Sequence, residues 1–332
     1  MNQNGGMPKS KSNLLFCGFL LFGTASALAQ QVPSAISSDP PPDKEFPAAV
    51  EAPDVMSHGA RLNAVFYLAS GRGPHPAVLL VHGFPGNEKN LDLAYSLRRA
   101  GWNVLIYHYR GSWGSTGTFS FANAIEDTQA AIQFLRDAEN VKKYRLDPKK
   151  IVLIGHSMGG FMAACATARD PEVGGLAMIS AWNIGATMSG PKETHRIDMI
   201  PSASSRLAGT TPAGLQAEAE ANAAKWNYLD YAEALKTRPV FIAESHDRNL
   251  SYYKEMKEAL QKAGNSRVTE ATWKLTTPTP AIGSLFRSRS CNGWTLLLRP
   301  FLNSKFSTKT EPVLPVANRC ARIRESGGRQ RT

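Results

Sequence analysis

Residues 151–167 read IVLIGHSMGGFMAACAT, and no other stretch restricts the fold so tightly. Ile151 to Ile154 form an apolar run suited to a strand buried on both faces, and the Ala-rich stretch from Phe161 to Ala168 has helical spacing. Only Gly155-His156-Ser157-Met158-Gly159 separates them, so the chain must reverse direction within a few residues. Gly155 and Gly159 remove the side chains that would collide where strand and helix nearly touch. Ser157 is thereby thrust out at the carboxyl edge of a sheet, over a helix amino terminus that favours developing negative charge. Gly-x-Ser-x-Gly between a buried strand and a helix predicts a nucleophilic serine.

The surrounding sequence supplies that sheet. Apolar and β-branched runs at Arg61 to Ala69, Ala77 to His82, Asn103 to His108, Gly175 to Ser180 and Pro239 to Glu244 read as strands, with Arg267 to Trp273 as the last. The first is one arm of an opening hairpin. Between the strands, Leu91 to Ala100, Phe121 to Ala138 and Tyr252 to Ala263 carry helical spacing. Strands alternating with helices predict an α/β fold with a mostly parallel central sheet flanked by helices. One interval departs from this rhythm: Trp182 to Thr237 separates two strands by more than fifty residues, the size of a lid, with a helix expected over Leu215 to Leu235. Trp113, Trp182 and Trp226 lie in loops near the expected site and are read as packing residues.

Upstream of the serine, VLLVHGFPGNEKN ends a strand in His82-Gly83-Phe84-Pro85-Gly86. Acyl transfer requires backbone N–H donors for an oxyanion, and Phe84 and Met158, the latter following the nucleophile, are the donors expected.

HGFPG, YHYRGSWGSTG and GHSMGG, followed by an acid after a strand, resemble the α/β-hydrolase superfamily over roughly residues 50 to 275. RGSWGSTGTFS, EDTQAAIQFLRD and LDPKKIVLIGHSMGG look like esterases and serine aminopeptidases near prolyl-oligopeptidase-type catalytic domains. The resemblance implies a Ser-acid-His mechanism with no cofactor and no metal. Its acid falls on Asp247 in RPVFIAESHDRN, with Glu244 as competitor and His246 too close to Asp247 to serve as base. The order serine, acid, histidine makes His82 a structural residue of its loop. Serine at the elbow disfavours the aspartate-nucleophile dehalogenases and epoxide hydrolases.

That order also demands a histidine after Asp247, and the chain has none: all seven histidines, from His58 to His246, precede it. After Trp273 the chain continues KLTTPTPAIGSLFRSRSCNGWTLLLRPFLNSKF without periodicity. A one-base shift of frame makes the straddling codons across Leu275 to Pro280 compatible with Asp-His-Ala-Tyr-Ser. Across Cys291 to Thr295 the shifted codons permit Gln-Trp-Leu-Asp, a fitting end for an amphipathic helix. We therefore read residues 276–332 as an irregular basic tail that is out of frame, and the chain as written as an impaired hydrolase.

The same tail accounts for most of the charge. Residues 275–332 hold ten Lys and Arg against two acids, leaving +3 of the formal +11 for everything before them. A nearly balanced body gives no reason to expect nucleic acid as a partner. At the amino end, Lys9 and Lys11 precede an apolar run from Leu14 to Phe22 and then Ala27-Leu28-Ala29. This is a signal-peptide pattern, and its apolar run is shorter than the roughly 20 residues of a membrane span. Residues 1–29 are thus expected to be a signal peptide, 30–48 a Pro-rich linker and 49–275 the hydrolase domain, exported to the periplasm or beyond, with no stable membrane span after cleavage. The expected substrate is a small ester or peptide. A catalytically silent acyl-ligand-binding protein and an acyltransferase are the alternatives. A Cys291–Cys320 disulfide is compatible with export but is not established by spacing.

Overall fold

The computed structural model describes residue 35 and residues 38–190, 206–245 and 250–273. The expected signal peptide, the start of the linker and the basic tail lie outside the described residues.

The chain opens with β1 (Ala49–Glu51), β2 (Asp54–Ser57) and β3 (Ala60–Leu68). The β2–β3 turn places His58 and Gly59 at positive φ, and β3 pairs antiparallel with β1, β2 and β5 (Asn103–Tyr107). From β5 onward the sheet is parallel, through β4 (His75–Val81), β6 (Leu146–His156), β7 (Gly175–Ile179), β8 (Val240–Ser245) and β9 (Val268–Trp273). The order across the sheet is β1-β3-β5-β4-β6-β7-β8-β9, with β2 attached to β3. Every residue of β4, β5 and β7 is buried, as strands covered on both faces require. The expected mostly parallel sheet flanked by helices is the observed fold.

Alternation along β4 divides the core. Val78 and Leu80 face the side covered by α1 (Leu91–Arg99), through Leu93, Ala94 and Leu97. Leu79 and Val81 face the other side, covered by α2 (Phe121–Arg136) and α4 (Met158–Arg169), with α8 (Leu250–Lys262) adding Tyr253, Met256 and Leu260. Helix α2 stops at Arg136, two residues before the sequence expectation, because the Asp137 carboxylate accepts Glu139 N and Asn140 N and starts α3 (Ala138–Lys143).

The long interval between β7 and β8 is present, with α5 (Ile184–Ser189) at its start. Its expected helix over Leu215 to Leu235 is replaced by shorter pieces. Helix α6 (Pro212–Ala221) starts on Thr211, whose side chain accepts from Gly214 N. The Asn227 side chain caps a 3-10 turn at Tyr228–Tyr231 through Leu229 N, and α7 (Ala232–Leu235) follows. Alanine and glutamate favour helix throughout, but asparagine caps interrupt it. Among the described residues no helix is long and apolar enough to cross a membrane.

Candidate active site

Strand β6 ends at His156 and α4 begins at Met158, leaving Ser157 alone in the turn with φ 54° and ψ −121°. A positive φ at serine costs about 1–3 kcal/mol of strain and persists only where its surroundings impose it. Here they do: Ser157 N donates to Ile179 O of β7, while Ser157 O accepts from Gly160 N and Trp182 N, each at 2.9 Å. The glycines explain the closeness. A Cβ on Gly155 would lie 2.0 Å from Gly159 O, and one on Gly159 would lie 2.1 Å from Val81 O and 2.6 Å from His82 O. Met158, the first residue of α4, is fully buried, so its backbone amide is fixed with the helix.

The loop after β4 passes directly over the serine: a Cβ on Gly83 would stand 3.0 Å from Ser157 Cβ. Phe84 comes next, its ring packed on Phe119 and Phe121 at centroid distances of 5.6 and 5.8 Å. The turn at residues 108–113 fastens this loop. Tyr109 Oη donates to His82 O at 2.8 Å, and Trp113 Nε1 donates to Pro85 O at 2.6 Å. His82 Nδ1 lies 2.8 Å from Gly83 O, which can only accept, so the proton is on Nδ1. His82 Nε2 then accepts from His108 Nδ1 at 3.1 Å. Burial lowers the pKa of His82 to about 4 and of His108 to about 3, so both rings are neutral at pH 7. With both nitrogens engaged, His82 serves its loop and is not a base for Ser157. Below, Arg110 donates from its backbone N and Nε to buried Asp127, which also accepts from Ser57.

The described part of the segment between β7 and β8 packs against this floor. Ala208 exchanges backbone bonds with Gly111 and Phe119, and the Glu218 carboxylate accepts Phe121 N and Ala122 N at the start of α2, each at 2.9 Å. Trp182 and Trp226 are buried against Phe121, in packing roles, whereas Trp113 remains 37% exposed. Glu244 lies within β8, buried, and its charge adds to burial in pushing the Tyr228 hydroxyl up. Asp247 and His246 lie outside the described residues. Among the described residues no cluster of side chains has the makings of a metal site. A surface groove of about 1250 Å³ runs along α2 past Ser57, His58 and Asp170, and none of the elbow residues lines it.

What sequence reasoning missed is the support from His108, Tyr109 and Trp113. The only available signal was YHYRGSWGSTG, whose Gly111, Gly114 and Gly117 all take positive φ and fold that segment back on itself.

A serine lifted from a strand-to-helix turn at the carboxyl edge of such a sheet, with a backbone loop laid against it, defines the α/β-hydrolase class. The family model for the alpha/beta hydrolase fold matches residues 76–236, just under half of the chain, and supports a member of the α/β-hydrolase superfamily. The chain is 32% identical over 144 residues to an uncharacterized protein of Mycobacterium tuberculosis H37Rv, covering 43% of this chain and 47% of that protein. It is 28% identical over 153 residues to esterase EstD of Thermotoga maritima, covering 42% and 34%. The chain thus spans about half or less of the length of these curated relatives. Among solved structures, an acylaminoacyl peptidase of Pyrococcus horikoshii superposes with a TM-score of 0.59 at 17% identity, over 81% of this chain and 43% of that one, a likeness of fold.

Proposed function

We propose that this protein is built as a serine hydrolase that cleaves a small ester or peptide bond through an acyl-enzyme on Ser157. The observation that carries this is Ser157 held at positive φ between β6 and α4 with Gly83 against its side chain. In the reaction, Ser157 Oγ attacks the carbonyl carbon and its proton passes to a histidine base. The carbonyl oxygen becomes an oxyanion between the N–H groups of Phe84 and Met158. The base then protonates the departing alcohol or amine, and water, deprotonated by the same base, releases the acid. Asp247 is the carboxylate that orients the histidine.

The histidine is the part the chain as written lacks after Asp247. We attribute this to a shifted reading frame from about Leu275, where the alternative codons permit Asp-His-Ala-Tyr-Ser. Loss of the base from a triad lowers turnover by up to about 10⁶, so the chain as written is impaired. The esterase and peptidase names among its relatives support the bond class, and the Lys9 to Ala29 pattern supports export.

Hydrolysis of p-nitrophenyl acetate and butyrate by this chain and by a version with the frame restored after Leu275 tests the reading. Turnover by the restored protein alone, abolished by Ser157→Ala, is expected. Full activity of the chain as written would place the base elsewhere and make the tail genuine. Because the sequence offers no histidine after Asp247, a silent acyl-ligand-binding protein is the second reading. It predicts retained acyl-ligand affinity with no covalent adduct at Ser157 in either version.

A further inference from the structure

The oxyanion loop contains a joint that the serine-hydrolase reading leaves unexplained. Trp113 has φ 47°, a conformation in which a bulky L-residue is an outlier. Its neighbours Gly111 and Gly114 also take positive φ, but they are glycines and bear no strain. Glycine would relax position 113 too, so something offsets the strain of a tryptophan. It is not burial, since Trp113 is among the large apolar residues left exposed. What the side chain does is local: its Nε1 donates to Pro85 O at 2.6 Å, and the Lys89 ammonium sits 4.7 Å from its ring centroid. Asn63 Nδ2 donates to Trp113 O at 2.8 Å, fixing the backbone from the sheet side.

The partner of this clasp is His108. It donates to His82 Nε2, which commits the opposite nitrogen of His82 to Gly83 O. The two grips meet at Gly86, where an added Cβ would lie 2.7 Å from both His82 Cε1 and Trp113 Nε1. The carbonyls on either side of Phe84, those of Gly83 and Pro85, are thus each held by a side-chain N–H. Gly83 O shares its peptide plane with the Phe84 N–H, so holding it sets that plane directly, and holding Pro85 O anchors the chain on the far side of Phe84.

We propose that Trp113 and His108 are positioning residues that aim the Phe84 N–H at the oxyanion formed on Ser157. The proposal rests on the serine-hydrolase reading. Neither residue touches the reacting atoms; both act through the His82–Gly86 loop, and the strain at Trp113 is borne for that purpose.

The test uses the full chain as written and a fluorophosphonate probe, whose phosphoryl oxygen occupies the oxyanion position once Ser157 is modified. Trp113→Phe keeps the ring and removes the donor, Trp113→Gly relaxes the backbone and removes the grip, and His108→Phe removes the donor to His82. Each is expected to lower the limiting rate of Ser157 phosphonylation at least tenfold, leaving the concentration for half-maximal rate unchanged. His108→Asn, which keeps an N–H donor, recovers most of the rate. Hydrogen exchange read on residues 82–90 is expected to quicken in the three disruptive variants and not on residues 151–160. An unchanged limiting rate overturns the proposal, as does an effect confined to the half-maximal concentration, which would make Trp113 a ligand contact. If the chain as written does not label at Ser157, as its missing histidine predicts, the same variants are compared in the version with the frame restored after Leu275. If that version too never labels, the serine-hydrolase reading fails, and exchange alone decides whether these side chains hold the loop.

Discussion

Two backbone segments meet at Ser157 and are held in opposite ways. The elbow, residues 155–160, is fixed by what is missing: Gly155, Gly159 and Gly160 leave no room for a Cβ, and backbone atoms press against backbone atoms. The loop at residues 82–86 is fixed by what is present, with Tyr109, Trp113 and the His82–His108 pair holding its carbonyls. Steric fixation tolerates no substitution but is indifferent to solution conditions. Fixation by hydrogen bonds fails gradually and responds to pH. The oxyanion site proposed above, with one donor of each kind, would take its rigidity from the elbow and its sensitivity from the loop.

Breaking the elbow should therefore have the largest effect. Gly159→Ala forces a methyl group to within 2.1 Å of Val81 O, a backbone atom at the carboxyl end of a central strand that cannot easily move aside. A loss of about 4 kcal/mol is expected, equivalent to roughly 8–16 °C in melting temperature for a domain of this size. Thermal denaturation checks this, and a shift of only a degree or two would show that the elbow can relax.

The loop should instead show its weakness in acid. Burial holds the pKa of His82 at about 4 against an ordinary value of 6.5, so the fold keeps the neutral ring while the unfolded chain takes up a proton. Stability from this residue is complete above pH 6.5 and is lost as pH falls toward 4, where the folded ring also protonates. The difference amounts to about 3 kcal/mol. Urea unfolding of the intact protein and of His82→Gln between pH 7 and 4 isolates it: the intact protein should lose stability more steeply. Parallel curves would mean that the loop accommodates a charged imidazole.

The same contrast explains what the sequence disclosed. Elbow glycines act over four residues, so their pattern is visible in GHSMGG, and the strands feeding it announce themselves by uninterrupted apolar runs. The loop's supports lie 26 to 28 positions away, at His108, Tyr109 and Trp113, and only the crossing from β4 to β5 brings them together. Nothing local marks a tyrosine or tryptophan as a donor to a distant carbonyl. The Leu215 to Leu235 stretch failed for a related reason: helix propensity is summed over neighbours, whereas the Asn227 cap also answers to Asn183, across the fold.

The smallest effect probes the single place where the two kinds of fixation touch. A Cβ on Gly83 would lie 3.0 Å from Ser157 Cβ and 3.1 Å from His156 O, tight enough to push but not to exclude. Gly83→Ala should cost about 1–2 kcal/mol. Ser157→Gly removes one of the two colliding atoms and also relaxes a positive φ, so the alanine should be less costly on that background, by about 0.5–1 kcal/mol. A double-mutant cycle on denaturant stability reads this coupling directly. Additivity within about 0.3 kcal/mol would mean that the loop yields before the serine feels it, and that loop and elbow are held independently rather than braced against each other.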